Sequence, residues 1–376
     1  MSGRRANGEG TIYERRDGRW EGAAYVLLPT GGRARKRVYG KTRAEVFAKL
    51  ADLQQKSRSG MPAISGQVTV AAYLDEWLES VARHSVRPST FYSYRLYVRD
   101  HLIPALGRKR LTRLSPSDVR GFIQSKSAAG LAPATVKQMH AILRAALQHA
   151  VREDLVARNV AKLVVVSSPS QPEVVPLSVE EARALLSVAG GTRLYALWAV
   201  ALAVGLRRGE ALGLRWMDVD LVKGELRVVQ TLQRVDGRLQ FVPPKSDRSR
   251  RRVPLPAVAV AALERHRGQA VDEADGRGDS VEPTDLVFTS SVGTPLEPRN
   301  ANRAFTELLK NAGLRPTRFH DLRHTCASLL LAQGVSPRVV METLGHSAIA
   351  VTMNTYGHVM PLAQRDAADR MNELLS

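Results

Sequence analysis

Two polar stretches containing Ser and Pro, Ser57–Gly66 and Ser167–Pro176, divide this chain into three segments that no single core can absorb. Each segment has its own hydrophobic pattern. Residues 1–60 read as strands plus a helix, 66–168 as helix throughout, and 175–376 as a mixture. At 376 residues with 44% apolar side chains, the chain has the length and the apolar content for two or three cores. The expected fold is multidomain and mainly α with small β-sheets. It comprises a three-stranded β module with one helix, a helical bundle, and a mixed α+β domain.

In the first segment, Thr11–Arg15 and Trp20–Leu28 alternate as strands across Asp17-Gly18, a hairpin signal. Gly31-Gly32 turns the chain into a third strand, Arg33–Tyr39. Thr42 caps a helix running to Gln55, with Glu45 completing a capping-box pattern. Arg15, Arg16, Arg19, Arg33, Arg35, Lys36 and Arg37 crowd the strands and turns. A basic β-ribbon of this kind can enter a DNA major groove, whereas a solubility face usually mixes signs.

The second segment predicts helices at Val70–Ala82, Ser89–His101, Ser115–Ser125 and Pro133–Val151. Arg95 interleaves with aromatic residues, and Lys137, His140 and Arg144 fall on or near one side of the last helix. A basic side and an ordinary charged face fit this segment equally well. In the third, helices are expected at Ser178–Val188, Leu194–Val204, Pro256–His266, Asn300–Ala312, His320–Ala332 and Ser336–Leu344. β-like runs are expected at Glu225–Gln230, Leu239–Val242 and Arg251–Leu255, and the acidic stretch Val271–Thr284 reads as an exposed loop.

Lys and Arg number 55 against 36 Asp and Glu, a formal charge of +19, which favours a polyanionic partner. The longest apolar run, Tyr195–Leu206, is too short to span a bilayer and stops at Arg207, so no membrane partner is expected. The Arg/Gly-rich N-terminus has no apolar signal segment, and the single Cys326 excludes an intrachain disulfide framework or a Cys-rich zinc site. The default location is the cytoplasm.

Five short motifs in the third segment share a chemical logic. Gly205-Leu206-Arg207-Arg208-Gly209-Glu210 ends an apolar helix and delivers an arginine from the core. Pro244-Lys245 lies near a turn between two β-like runs, where an ammonium could reach a phosphate. His320-Asp321-Leu322-Arg323 puts an imidazole and a guanidinium three residues apart on one helical face. Arginine's fork can engage two phosphoryl oxygens at once. Gly345-His346 and Thr355-Tyr356 follow. Alone, each of the first two is equally a surface cap or a solvated turn lysine.

In this order the set resembles the tyrosine recombinase, or phage integrase, family across Leu177–Ser376. The helical segment resembles that family's core-binding domain, and the N-terminal β module its arm-type DNA-binding domain. The resemblance implies that Arg207 and Arg323 are the catalytic arginines and Lys245 the catalytic lysine. It implies that His320 and His346 are the two histidines, Tyr356 the nucleophile, and Glu210 a carboxylate supporting Arg207. Arg207 is preferred to Arg208 on the Gly-Leu-Arg match. The chemistry implied is cleavage and rejoining of DNA through a 3′-phosphotyrosine, with neither metal nor other cofactor. The partners implied are double-stranded core and arm DNA, clasped by the helical and catalytic domains. A homotetramer on that DNA and DNA-bending or excision factors are implied as well. Arg19, Arg35, Arg37, Arg95, Lys137 and Arg144 are candidate DNA contacts.

Three other readings share parts of these features. His320 and His324, four apart on a helix, could flank a zinc ion, although neither an intervening Glu nor a nearby third ligand is evident. A DNA-binding regulator would account for the N-terminal module but not for a tyrosine ten residues after Gly-His. A type IB topoisomerase would share the chemistry and lack the need for an arm module. The C-terminal stretch Gln364–Ser376 has helical spacing and could dock on a neighbouring protomer or on its own domain.

Overall fold

The computed structural model describes residues 11–27, 33–58, 68–167, 175–244, 249–345, 369 and 371–376, which fall into two compact units divided near residue 170.

In the first unit, β1 (Thr11–Glu14), β2 (Trp20–Leu27) and β3 (Arg33–Gly40) form an antiparallel meander, with Tyr13 opposite Glu21 and Glu21 opposite Tyr39. Helix α1 (Arg43–Arg58) packs on one face. A Cβ added at Gly22 would lie 2.6 Å from Val46 Cγ1 and 2.8 Å from Leu50 Cδ1, so glycine is what lets the helix approach. Period-two alternation then puts Tyr13, Tyr25 and Tyr39 on the other face, all exposed, beside exposed Arg35 and Arg37. The cap at α1 differs from the expected reciprocal box. Thr42 Oγ1 accepts from the Glu45 amide, but Glu45 accepts from Lys41 N–H, one residue further out.

The rest of this unit is a helical bundle. Two of its helices are longer than the sequence pattern shows, because each continues through a π turn. Residues 70–85 (α2) pass through one at Leu78–Ala82, and residues 88–106 (α3) through another at Val98–Leu102. An inserted residue shifts the apolar stripe by about 100°, which is why a fixed 3.6 period loses the helix there. Helices α4 (Pro116–Ala128) and α5 (Pro133–Arg152) complete the bundle. Its core is built from Leu74, Leu78, Leu102, Met139, Leu143 and Leu147.

The second unit is organised around α7 (Tyr195–Val204), which follows α6 (Val179–Ala189) and is buried nearly all round. Trp198 meets Phe305 and Phe319 at ring-centre distances of 5.3 and 5.5 Å, joining α7 to α10 (Pro298–Asn311). A short helix, α8 (Arg208–Leu212), follows α7. Strands β4 (Val219–Asp220), β5 (Glu225–Val228) and β8 (Arg251–Pro254) make one antiparallel sheet. Strands β6 (Thr231–Val235) and β7 (Arg238–Val242) make a separate hairpin. The expected run at 225–230 therefore stops at Val228, and the next strand, from Thr231, belongs to a different sheet. Asp236-Gly237 turns the hairpin with φ of 50° and 73°, the left-handed pair that such a turn needs.

Helix α9 (Ala257–Asp275) extends well past the expected end at His266. Acidic residues at a helix C-terminus oppose the macrodipole, so the sequence suggests a loop from Val271. The opposition is outweighed because Glu273 receives two hydrogen bonds from Arg193, both 2.6 Å, and Ala274 is buried. Helices α11 (Asp321–Ala332) and α12 (Pro337–Leu344) close the unit, packed together through Cys326, Leu331, Val340 and Leu344. Among the described residues, no helix is long and apolar enough to cross a membrane.

Candidate active site

The site begins where α7 ends. Gly205 caps that helix in the left-handed conformation, φ 64°, and the next turn makes Arg207 the N-cap residue of α8. Gly205 is required twice over, since an added Cβ would also sit 2.4 Å from Leu344 Cδ2. Arg207 donates through Nη1 to Glu210 Oε1 at 2.6 Å, and its amide donates to Glu210 Oε2 at 3.0 Å. Its Nη2 reaches the carbonyl of Gly345 at 3.2 Å. Arg208, by contrast, lies near Glu297, and burial pulls its guanidinium down from the usual value.

Arg323 lies in the first turn of α11 and is only 2% exposed. Its Nη1 donates to the carbonyl of Gly205 at 2.8 Å and its Nη2 to that of Leu344 at 2.5 Å. Those carbonyls lie at the C-terminal ends of α7 and α12, the negative ends of two helix dipoles. A buried guanidinium is thereby compensated by backbone.

A third arginine enters from β8. Arg251, which the sequence analysis does not single out, donates through Nη2 to Glu210 Oε2 at 3.0 Å and through Nε to the Thr343 carbonyl at 2.7 Å. Three consecutive carbonyls at the end of α12, those of Thr343, Leu344 and Gly345, thus each accept from a different arginine. The signal was strand alternation: Arg251 shares a face with buried Val253, while Arg252 between them points out. Burial alone would raise the Glu210 carboxyl, but Arg251, Arg207 and Arg323 outweigh it and hold it below the ordinary carboxylate range.

His320 is the residue immediately before α11 rather than within it, and its carbonyl accepts the amide of Arg323 at 3.2 Å. The residue keeps an exposed edge. Partial removal of the ring from water, with His324, Arg323 and Arg207 nearby, lowers its pKa to about 4. The imidazole is therefore neutral at physiological pH and able to accept a proton. The His320 and His324 rings meet edge to face with centres 5.3 Å apart. Among the described residues, no group of three or more His, Cys, Asp or Glu gathers where it could hold a metal ion. Cys326 lies behind the site, and burial pushes its thiol up to about 12, so it is an inert packing residue.

Lys245, His346 and Tyr356 lie outside the described residues. Lys245 belongs to the connection from β7 to β8, which joins different sheets, and His346 directly follows Gly345. Of the candidate DNA contacts, Arg19, Arg35, Arg37, Lys137 and Arg144 are exposed, and Arg95 is half-buried with its guanidinium 5.4 Å from the Tyr92 ring centre. His140 does not join Lys137 and Arg144 on the outer side. It is buried, with Nε2 2.9 Å from the Ala161 carbonyl oxygen.

The phage integrase family profile matches residues 176–362, and that of the phage integrase N-terminal SAM-like domain matches residues 69–127. A tyrosine recombinase XerC-like protein of Caldanaerobacter subterraneus is 31% identical over 90% of this chain and 92% of its own. This chain belongs to the phage integrase family. As a tyrosine recombinase it is an enzyme of DNA strand breakage and rejoining, acting in site-specific recombination of mobile elements. An integrase of Streptomyces ambofaciens is 32% identical to this recombinase over 98% of the chain and 97% of its own. The fold matches the Tn1549 transposon integrase in complex with a circular intermediate DNA, with TM-score 0.70, 22% identity, 81% of this chain and all of that one. It also matches lambda integrase in a tetramer bound to a Holliday junction, with TM-score 0.58, 18% identity, and 90% and 95% of the two chains.

Proposed function

We propose that this recombinase attacks a core-site phosphodiester with the Tyr356 hydroxyl. The tyrosine oxygen bonds to phosphorus, the bond to the 5′ oxygen breaks, and the 3′ phosphate stays on the enzyme. Because the covalent intermediate keeps a phosphodiester, rejoining to another 5′ end needs no ATP. Negative charge grows on the non-bridging oxygens, and Arg207 and Arg323 are assigned to them, with His346 donating a further hydrogen bond. A tyrosine hydroxyl ordinarily titrates near 10 and must lose its proton during attack. His320 is assigned to accept it, at least in part, and Lys245 to protonate the leaving 5′ oxygen. Glu210 holds Arg207. No metal or other cofactor is required in this scheme.

The observation carrying this reading is the convergence of Arg207 and Arg323 on the last carbonyls of α12, directly before His346, with a neutral His320 alongside. The working assembly we propose is four protomers on two double-stranded DNA sites. The N-terminal sheet binds arm DNA through its Tyr and Arg face, and DNA-bending or excision factors join as partners. The test is a nicked suicide substrate carrying candidate attachment-site DNA. The wild-type protein should give a covalent adduct whose modified residue maps to Tyr356, and Tyr356→Phe should bind the DNA without forming it. An adduct with the Phe variant would overturn the assignment.

A further inference from the structure

Arg251 is nearly buried, its side chain 6% exposed, and all three of its guanidinium nitrogens make contacts. Nη2 meets Glu210 Oε2 at 3.0 Å, Nε meets the Thr343 carbonyl at 2.7 Å, and Nη1 meets the Ser249 carbonyl at 3.2 Å. Those acceptors belong to α8, to the end of α12, and to the residues leading into β8. Glu210, itself 3% exposed, uses Oε1 for Arg207 and shares Oε2 between the Arg207 amide and Arg251. The three guanidinium nitrogens of Arg251 and both carboxylate oxygens of Glu210 are thus engaged by protein groups.

We infer that Arg251 is a positioning residue for the recombination reaction: one guanidinium fixes the Glu210 carboxylate that aims Arg207 and, at the same time, the end of α12 that leads into His346. A planar fork suits this task because its donors diverge in one rigid plane toward acceptors on separate elements. An ammonium is a point charge and cannot span both. The chain segment that carries Lys245 runs directly into Ser249 and Arg251, so the same side chain also ties the near end of that segment to the arginine pair. A partner of this kind, which orients a reacting group without touching substrate, is typically worth about 10–100-fold in activity at metal sites, where the same geometry of support operates.

The inference rests on the proposed use of Arg207 and Tyr356, and the experiment separates the two. Wild-type, Arg251→Lys, Glu210→Gln and the double variant are compared on the suicide substrate, with single-turnover adduct formation under saturating protein, DNA affinity and melting temperature all measured. Absence of a Tyr356 adduct in the wild type would overturn the functional reading itself. Given that adduct, Arg251→Lys should form it about 10–100-fold more slowly, with DNA affinity within about threefold of wild type and the fold intact. The double variant should be no slower than the worse single one, since both act on one element of the site. Wild-type rate in Arg251→Lys, a rate loss that merely tracks lost affinity, or additive losses in the double variant would each overturn the role. Failure of Arg251→Lys to fold would overturn it too, by making Arg251 a scaffold residue.

Discussion

The Leu344 carbonyl oxygen lies 2.5 Å from Nη2 of Arg323, so the last turn of α12 is tied to the first turn of α11 by a guanidinium assigned here to a DNA phosphate. Removing that side chain has two separable consequences. Arg323→Ala leaves the buried carbonyls of Gly205 and Leu344 without this donor, at about 1–3 kcal/mol each. Cleavage should also fall by about 10²–10³-fold, the usual effect of losing one preorganised donor. Denaturant unfolding reads the first and single-turnover adduct formation the second. Arg323→Lys should recover part of the stability and little of the rate, because an ammonium cannot span both acceptors.

Gly205 couples the same parts through backbone. Its left-handed φ costs a residue with a Cβ about 1–2 kcal/mol, and the new atom would meet Leu344 Cδ2 at 2.4 Å. Gly205→Ala should therefore lower the unfolding midpoint by more than the conformational cost alone. It should also slow cleavage, since displacing Leu344 moves an acceptor of Arg323. A variant with wild-type rate and an unfolding free energy within about 0.5 kcal/mol of the parent, the ordinary spread of a neutral surface change, would contradict the tight packing.

The helix end at Gly205 was legible in the sequence because glycine after an apolar helix is a common cap, whereas Arg207 took its meaning only from the motifs that follow it. Arg251 was not, although its alternation with Val253 carries the information. A run of Arg250, Arg251 and Arg252 reads as surface charge, and only the arrival of Glu210 from α8 makes one of the three internal. His140 misled in the opposite way. Its neighbours Lys137 and Arg144 are exposed, but position 140 falls on the stripe with Val136, Met139 and Leu143. The π turns in α2 and α3 and the pairing of Glu273 with Arg193 were hidden for a related reason. Each depends on a partner distant in sequence or on a register shift that no fixed period contains.

His320 gives a prediction about pH. Its pKa is lowered to about 4, so the neutral imidazole dominates at all higher pH, and the imidazolium appears only as pH falls through that value. Base function is thus lost below about pH 4, not near the ordinary histidine value of about 6.5. Adduct formation measured from pH 5 to 8 should show no acid limb assignable to His320. A limb centred near 6.5 that vanishes in His320→Asn would mean that the ring is far more solvated in the DNA complex.

The N-terminal sheet offers the cleanest test of two separate DNA-binding regions in one chain. On its open face Arg35 stands opposite Tyr25, both exposed, whereas Arg37 is 3.5 Å from the carboxylate of buried Glu21. Arg35→Ala therefore removes a cation without leaving a buried acid short of one, and it is the better probe. If the face meets arm-site phosphates, the variant should bind arm DNA more weakly, and the slope of log K against log salt should become shallower by about 1. Adduct formation on a core-site suicide substrate should stay at the wild-type rate, because that chemistry is assigned to the second unit. An unchanged salt slope on arm DNA would remove Arg35 from the interface, and a matching loss on core DNA would show that the two regions do not act separately.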